Sequence, residues 1–159
     1  MKKFVVAGGL LIGAVATAHA APQCFRPTEI EAAEAMRYQA KLMVLSDTCR
    51  SDAYSLFVHR NSKQIVEYQK LLIERYRVTE GRRAVDAFDS FQTRLANEYA
   101  LEAGHTPVDA LCAKSAEFLS KAPRLGGEEF RQLVMAQAGE AHASYPSCAA
   151  PRQQAAESR

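Results

Sequence analysis

The sequence predicts an all-α protein, an up-and-down bundle of four to five helices stapled by two disulfides. Three observations carry that expectation. Apolar residues recur at the 3.6-residue period in five segments divided by Gly, Pro, Ser and Asp; no segment reads as a strand; and all four cysteines follow a leader with the layout of an export signal.

The leader places Lys2 and Lys3 ahead of an apolar core at 4–16 and ends in Ala18-His19-Ala20, the small-x-small pattern a signal peptidase reads. Cleavage is expected after Ala20. The apolar run contains Gly8, Gly9 and Gly13 and is short for a membrane span, and no later segment is long and apolar enough to be one, so no transmembrane anchor is expected after cleavage. Ala21-Pro22-Gln23 separates the cleavage site from Cys24, which argues against lipid attachment. The expected organisation is a signal peptide at 1–20, one helical-bundle domain at 21–148 and a disordered polar tail at 149–159. The paired lysines and alanine-rich composition point to the periplasm as the destination.

A mature chain of 139 residues has the size of one domain, burying roughly two thirds of its unfolded surface. Without Lys2 and Lys3 it balances 18 basic residues against 18 acidic ones. Global charge therefore predicts neither a nucleic-acid nor a membrane partner.

The elements follow in order. Thr28 with Glu31 reads as a capping box, and Ile30, Ala33, Met36, Ala40, Met43 and Val44 carry a first helix over about 29–45. The second, over about 52–77, places Tyr54, Val58, Ile65, Tyr68, Leu72 and Tyr76 on one face and Lys63, Glu67, Lys70, Glu74 and Arg77 on the opposite one. Val66 and Ile73 widen the apolar face on one side, and Phe57 and Leu71 widen it on the other. This helix is expected to be the central one. Asn61-Ser62 offers a bend, but the register continues across it. Gly81 supplies the left-handed stop. A third helix over about 82–103 turns Val85, Phe88, Phe91, Leu95 and Tyr99 inward. Thr106, Pro107 and Asp109 start a fourth that ends at Pro123, with Leu111, Ser115, Phe118 and Leu119 on its face. A fifth over about 128–143 uses Phe130, Leu133, Val134 and Ala138.

Cys24, Cys49, Cys112 and Cys148 show no C-x-x-C spacing for redox or metal work, and an even count in an exported protein reads as two disulfides. A helix of about 17 residues is about 25 Å long, so Cys24 and Cys49, beyond its opposite ends, do not meet. Up-and-down topology brings the end of the first helix beside the start of the fourth. The expected pairs are Cys49 with Cys112 and, by elimination, Cys24 with Cys148. Leu56, among outward charges close to Cys49, is expected to find an apolar cover there.

The residues for chemistry are sparse. His59, His105 and His142 stand at no metal-ligand spacing, and Glu102-Ala103-Gly104-His105 matches one E-x-x-H element where a di-iron bundle needs two. Nucleophile-elbow and phosphate-loop motifs are absent. No metal or cofactor is expected. Among the paired acids Asp86 and Asp89, and Glu128 and Glu129, Asp89 lies at the edge of an apolar face, where burial would suit it to acid-base work. Arg75, Arg77, Arg82 and Arg83 crowd the turn after the second helix, a candidate anion-binding corner, since cations at the start of the third helix oppose its dipole. Tyr54, Tyr68 and Tyr76 are candidate lining residues of a polar-edged pocket, because each inward hydroxyl needs a partner.

A stapled scaffold without a catalytic constellation points to a non-enzymatic interaction protein of the envelope, an adaptor, inhibitor or chaperone whose partner is another envelope protein. A module for a small ligand or metal is the alternative, resting on the tyrosines and arginines. An enzyme using Asp89 is the third.

Overall fold

The computed structural model describes residues 24–141 together with 145 and 148. The expected cleavage site and signal peptide, and the tail at 149–159, lie outside the described residues. Five helices make up the fold: α1 Pro27–Thr48, α2 Ala53–Glu80, α3 Ala84–Gly104, α4 Val108–Lys121 and α5 Gly127–Ala141. Short 3-10 turns at Gly81–Arg83 and Ala122–Arg124 join α2 to α3 and follow α4, and no strand occurs among the described residues. The predicted all-α bundle is the observed one.

Local chemistry sets the boundaries. Helix α1 starts two residues ahead of the expected position because Pro27, whose fixed φ suits the first turn, opens it. The carboxylate of Glu29, rather than Glu31, reaches back to cap it, accepting from the Arg26 N–H at 2.8 Å. Helix α2 ends at Gly81, whose φ of 58° only glycine adopts without strain. Within α2, Asn61 leaves helical geometry at φ −106° and ψ 15°, so the bend the sequence offered is present.

The hub is α1, not α2. Helix α1 packs against all four other helices, and Ala32, Ala33 and Ala35 are wholly buried in it. Alanine gives a weak amphipathic signal, yet its small side chain admits close neighbours on several sides, which is why the hub was not legible as such. The inward face of α2 is also rotated from its expected position. Phe57, placed on the flank, is fully buried and Asn61 is 2% exposed, whereas Val66 is 43% exposed. Val85 likewise faces out, while Phe88 and Leu95 of the same helix are buried.

Helices α4 and α5 act as one split partner of α1. Cys49, at the C-terminal end of α1, is bonded to Cys112 near the start of α4, and Cys24, ahead of α1, is bonded to Cys148 beyond α5. Both expected pairings are therefore present, with Cα–Cα distances of 5.5 and 4.7 Å, respectively. The chain from Cys112 to Cys148 thus runs back along α1 and breaks midway at the Ala122–Arg124 turn. The break is packed, not loose. Asn61 Nδ2 donates to the Leu125 carbonyl at 3.1 Å, and Tyr38, Phe57, Phe118 and Phe130 gather beside it, with Phe57 edge-on to Phe130 at 4.8 Å. Leu56 does not find its expected cover, since at 49% exposure it remains at the surface. The Cys49–Cys112 bridge forms without that cover.

Among the described residues no helix is long and apolar enough to cross a membrane. The two disulfides suggest an oxidising, exported environment.

Candidate functional site

The four arginines do not form one site. Arg75 is drawn inward, donating from Nη1 to the Cys24 carbonyl at 2.6 Å and to Glu29 Oε2 at 3.2 Å, with its guanidinium over the Phe25 ring. Burial by itself would push the Glu29 carboxyl up. Hydrogen bonds from the Arg26 backbone and side chain, with the charges of Arg26 and Arg75, outweigh it and hold Glu29 below its ordinary value. Arg77 pairs with Glu74 and Arg83 with Glu80, both at the surface, while Arg82 is exposed in the 3-10 turn. Exposed pairs of this kind contribute little energy, but they offset the corner's positive charge locally.

The three tyrosines are also separated. Tyr54 and Tyr76 stand about 33 Å apart along α2 by the helical rise, with Tyr68 between them. The Tyr68 hydroxyl donates to Glu31 Oε1 at 2.7 Å and accepts from Gln64 Nε2 at 3.0 Å, so a network inside the bundle satisfies it. Burial and the Glu31 bond push that hydroxyl up. Tyr76 packs its ring near Phe91 at 6.4 Å, and burial pushes its hydroxyl up against the opposing charges of Arg94 and Arg75. Of the three, Tyr54 borders a cavity, where its hydroxyl accepts from Gln39 Nε2 at 3.2 Å.

That cavity is a cleft where the start of α2 and the end of α3 diverge. Its larger part, about 850 Å³, lies between Tyr54 and Ser55 of α2 and Ala100, Ala103 and Gly104 of α3, with Met43 and Asp47 of α1 beneath and Val108 at the mouth. A deeper part of about 260 Å³ shares Met43 and Tyr54 and is bordered by Met36, Gln39, Gln92 and Ala96. The buried Gln39 Oε1 has no hydrogen-bond partner among the described residues. Sequence reasoning missed this cleft. Its signal was the run Ala96, Ala100, Ala103, Gly104, small residues at helical spacing that leave α3 without bulk on one face.

A second and smaller space, about 170 Å³, lies between α3 and α4 above α1. Leu45, Leu111, Phe118 and Ala103 form its apolar surface with Tyr99, while Lys41, Lys114, Glu102 and Ser115 supply the polar groups.

The acid-base candidates converge nowhere. Asp86 and Asp89 are exposed, so the burial that singled out Asp89 is absent, and the Asp89 carbonyl accepts from the Thr93 hydroxyl. Glu128 is exposed, and Glu129 caps α5 by accepting from the Gly126 N–H at 2.7 Å. His59 and His105 are exposed, and His142 lies outside the described residues. Among the described residues no three His, Cys, Asp or Glu side chains gather as a metal site would require. Compared with known proteins, the chain matches no family model, no curated protein and no solved structure.

Proposed function

We propose that the protein is exported to the periplasm by cleavage after Ala20 and acts there as a non-enzymatic interaction protein of the envelope. In this reading it is an adaptor, inhibitor or chaperone that receives an apolar segment of another envelope protein between α2 and α3. The cleft carries the reading. It is open, Met43 and Val108 are 37% and 55% exposed at it, and its α3 wall is built from alanine and glycine. An unfilled groove between helices is a shape that accepts a helix or extended segment, and methionine adapts to varied apolar surfaces.

A photo-crosslinking amino acid at Ala100, compared with one at Lys63 on the outer face of α2, tests this in intact cells. Discrete adducts from position 100 and none from position 63 are expected. Equal labelling at both, or none at 100, overturns the reading. The space between α3 and α4 favours a second reading, a module that binds a small ligand. Native mass spectrometry of protein purified without reduction separates the two, through added mass that is lost on denaturation.

A further inference from the structure

We propose that the slot between α3 and α4 binds a small apolar carboxylate, with its acid group between Lys41 and Lys114 and its hydrocarbon body against Phe118. The inference rests on the ligand-module reading and is independent of the partner cleft, although Ala103 borders both spaces.

The slot exists because α4 is fastened to α1 rather than to α3. The Cys49–Cys112 bond holds the first turn of α4 at the end of α1, and Pro107 fixes the backbone where α4 leaves the turn after α3. The slot is half open, with Lys41, Glu102 and Lys114 exposed at its rim and Leu45 and Ser115 buried at its floor, so its apolar lining meets water that an apolar body would displace.

The lining selects the occupant. An apolar cavity of about 150 Å³ holds benzene, so about 170 Å³ suits a body of roughly six to eight carbons. Leu45, Leu111 and Phe118 supply matching apolar surface. Lys41 comes from α1 with its ammonium 5.6 Å from the Phe118 ring centroid, and Lys114 comes from α4. Neither lysine is in an ion pair among the described residues. Two unpaired cations beside an apolar slot complement one carboxylate, and Ser115, buried in the α4 wall, adds a hydroxyl. Glu102 on α3 is the opposing charge, which disfavours a dianion and makes the preference for a single negative group testable.

The test is a titration of the disulfide-intact protein with hexanoate, followed by amide NMR, with hexanol and leucine as comparisons. Saturable shifts at Ala103, Leu111, Ser115 and Phe118 are expected, with hexanol weaker by about tenfold. Lys41→Gln and Lys114→Gln, which keep most of each stem, should each weaken hexanoate about fivefold, and Glu102→Gln should tighten it a few-fold. The proposal fails if no saturable shift appears by about 10 mM, well short of even millimolar affinity, or if hexanol matches hexanoate. Leucine outcompeting hexanoate, with Glu102→Gln weakening binding, would assign a zwitterion and overturn the carboxylate. A retained mass in native mass spectrometry that is not a carboxylic acid would overturn the ligand class while leaving the module reading standing.

Discussion

The guanidinium carbon of Arg75 lies 3.4 Å from the centre of the Phe25 ring, stacking a cation from the last third of α2 on the residue that follows Cys24. The same residue ties several distant parts of the chain together. Phe25 also meets the Tyr145 ring edge-on at 5.0 Å, and its carbonyl accepts from the Cys148 N–H at 3.0 Å. Arg75 in turn holds the Cys24 carbonyl and Glu29. The entry to α1, the end of α2 and the segment beyond α5 are therefore locked at one place, beside the Cys24–Cys148 bridge.

This lock should weaken in acid. Glu29 titrates below its ordinary value of 4.5 in the folded protein, so its contribution is complete above about pH 4.5 and is lost as pH falls through the lowered value. Glu29→Gln should cost about 2 kcal/mol near neutrality, because it leaves the largely buried Arg75 without its carboxylate. Melting temperatures of the two proteins should differ most at pH 6–7 and converge toward pH 2–3. A difference that stays constant across that range would show that Glu29 acts through packing instead of charge.

The disulfides should be separable by alkylation. Cys49→Ser opens a bridge with a sequence separation of 63 and should lower stability by up to about 4 kcal/mol in the chain-entropy account. Cys112 should then react with iodoacetamide under native conditions while Cys24 and Cys148 stay protected. Reaction at Cys148 in that variant would mean that the two staples exchange. The same substitution should also abolish hexanoate binding, since it frees α4 from the end of α1.

Asn61 should be worth more than a surface polar residue in a helix. Its Nδ2 donates to the carbonyls of Phe57 at 3.0 Å and Leu125 at 3.1 Å, serving both the bend in α2 and the joint between α4 and α5. Asn61→Ala strips partners from carbonyls in a buried setting and should cost about 2 kcal/mol, seen as a lower urea midpoint with little change in slope. An unchanged midpoint would mean that water or the relaxed helix replaces both bonds. The orphaned Asn61 Oδ1 sets a limit on the effect, because its burial already counts against the native residue.

What the sequence determined by itself was local or set by length. Apolar spacing marked all five helices, Gly81, Pro107 and Pro123 punctuated the later ones, and the length of α1 kept Cys24 from Cys49, leaving up-and-down topology to select the bridges that form. Tertiary structure alone decided which helix the others surround and what each polar side chain meets. Periodicity reports that a helix has an apolar face, not the angle at which a neighbour approaches, so the alanine-rich α1 was passed over and the face of α2 turned toward Phe57 and Asn61. Tyr54, Tyr68 and Tyr76 share a face in projection yet lie at different depths, and Arg75 leaves its neighbours because Glu29 and Phe25, some fifty residues away, reach it first. The cleft and the slot were least legible of all. Both are spaces between helices, and space is set by the divergence of α2 from α3 and of α3 from α4, which no single segment encodes.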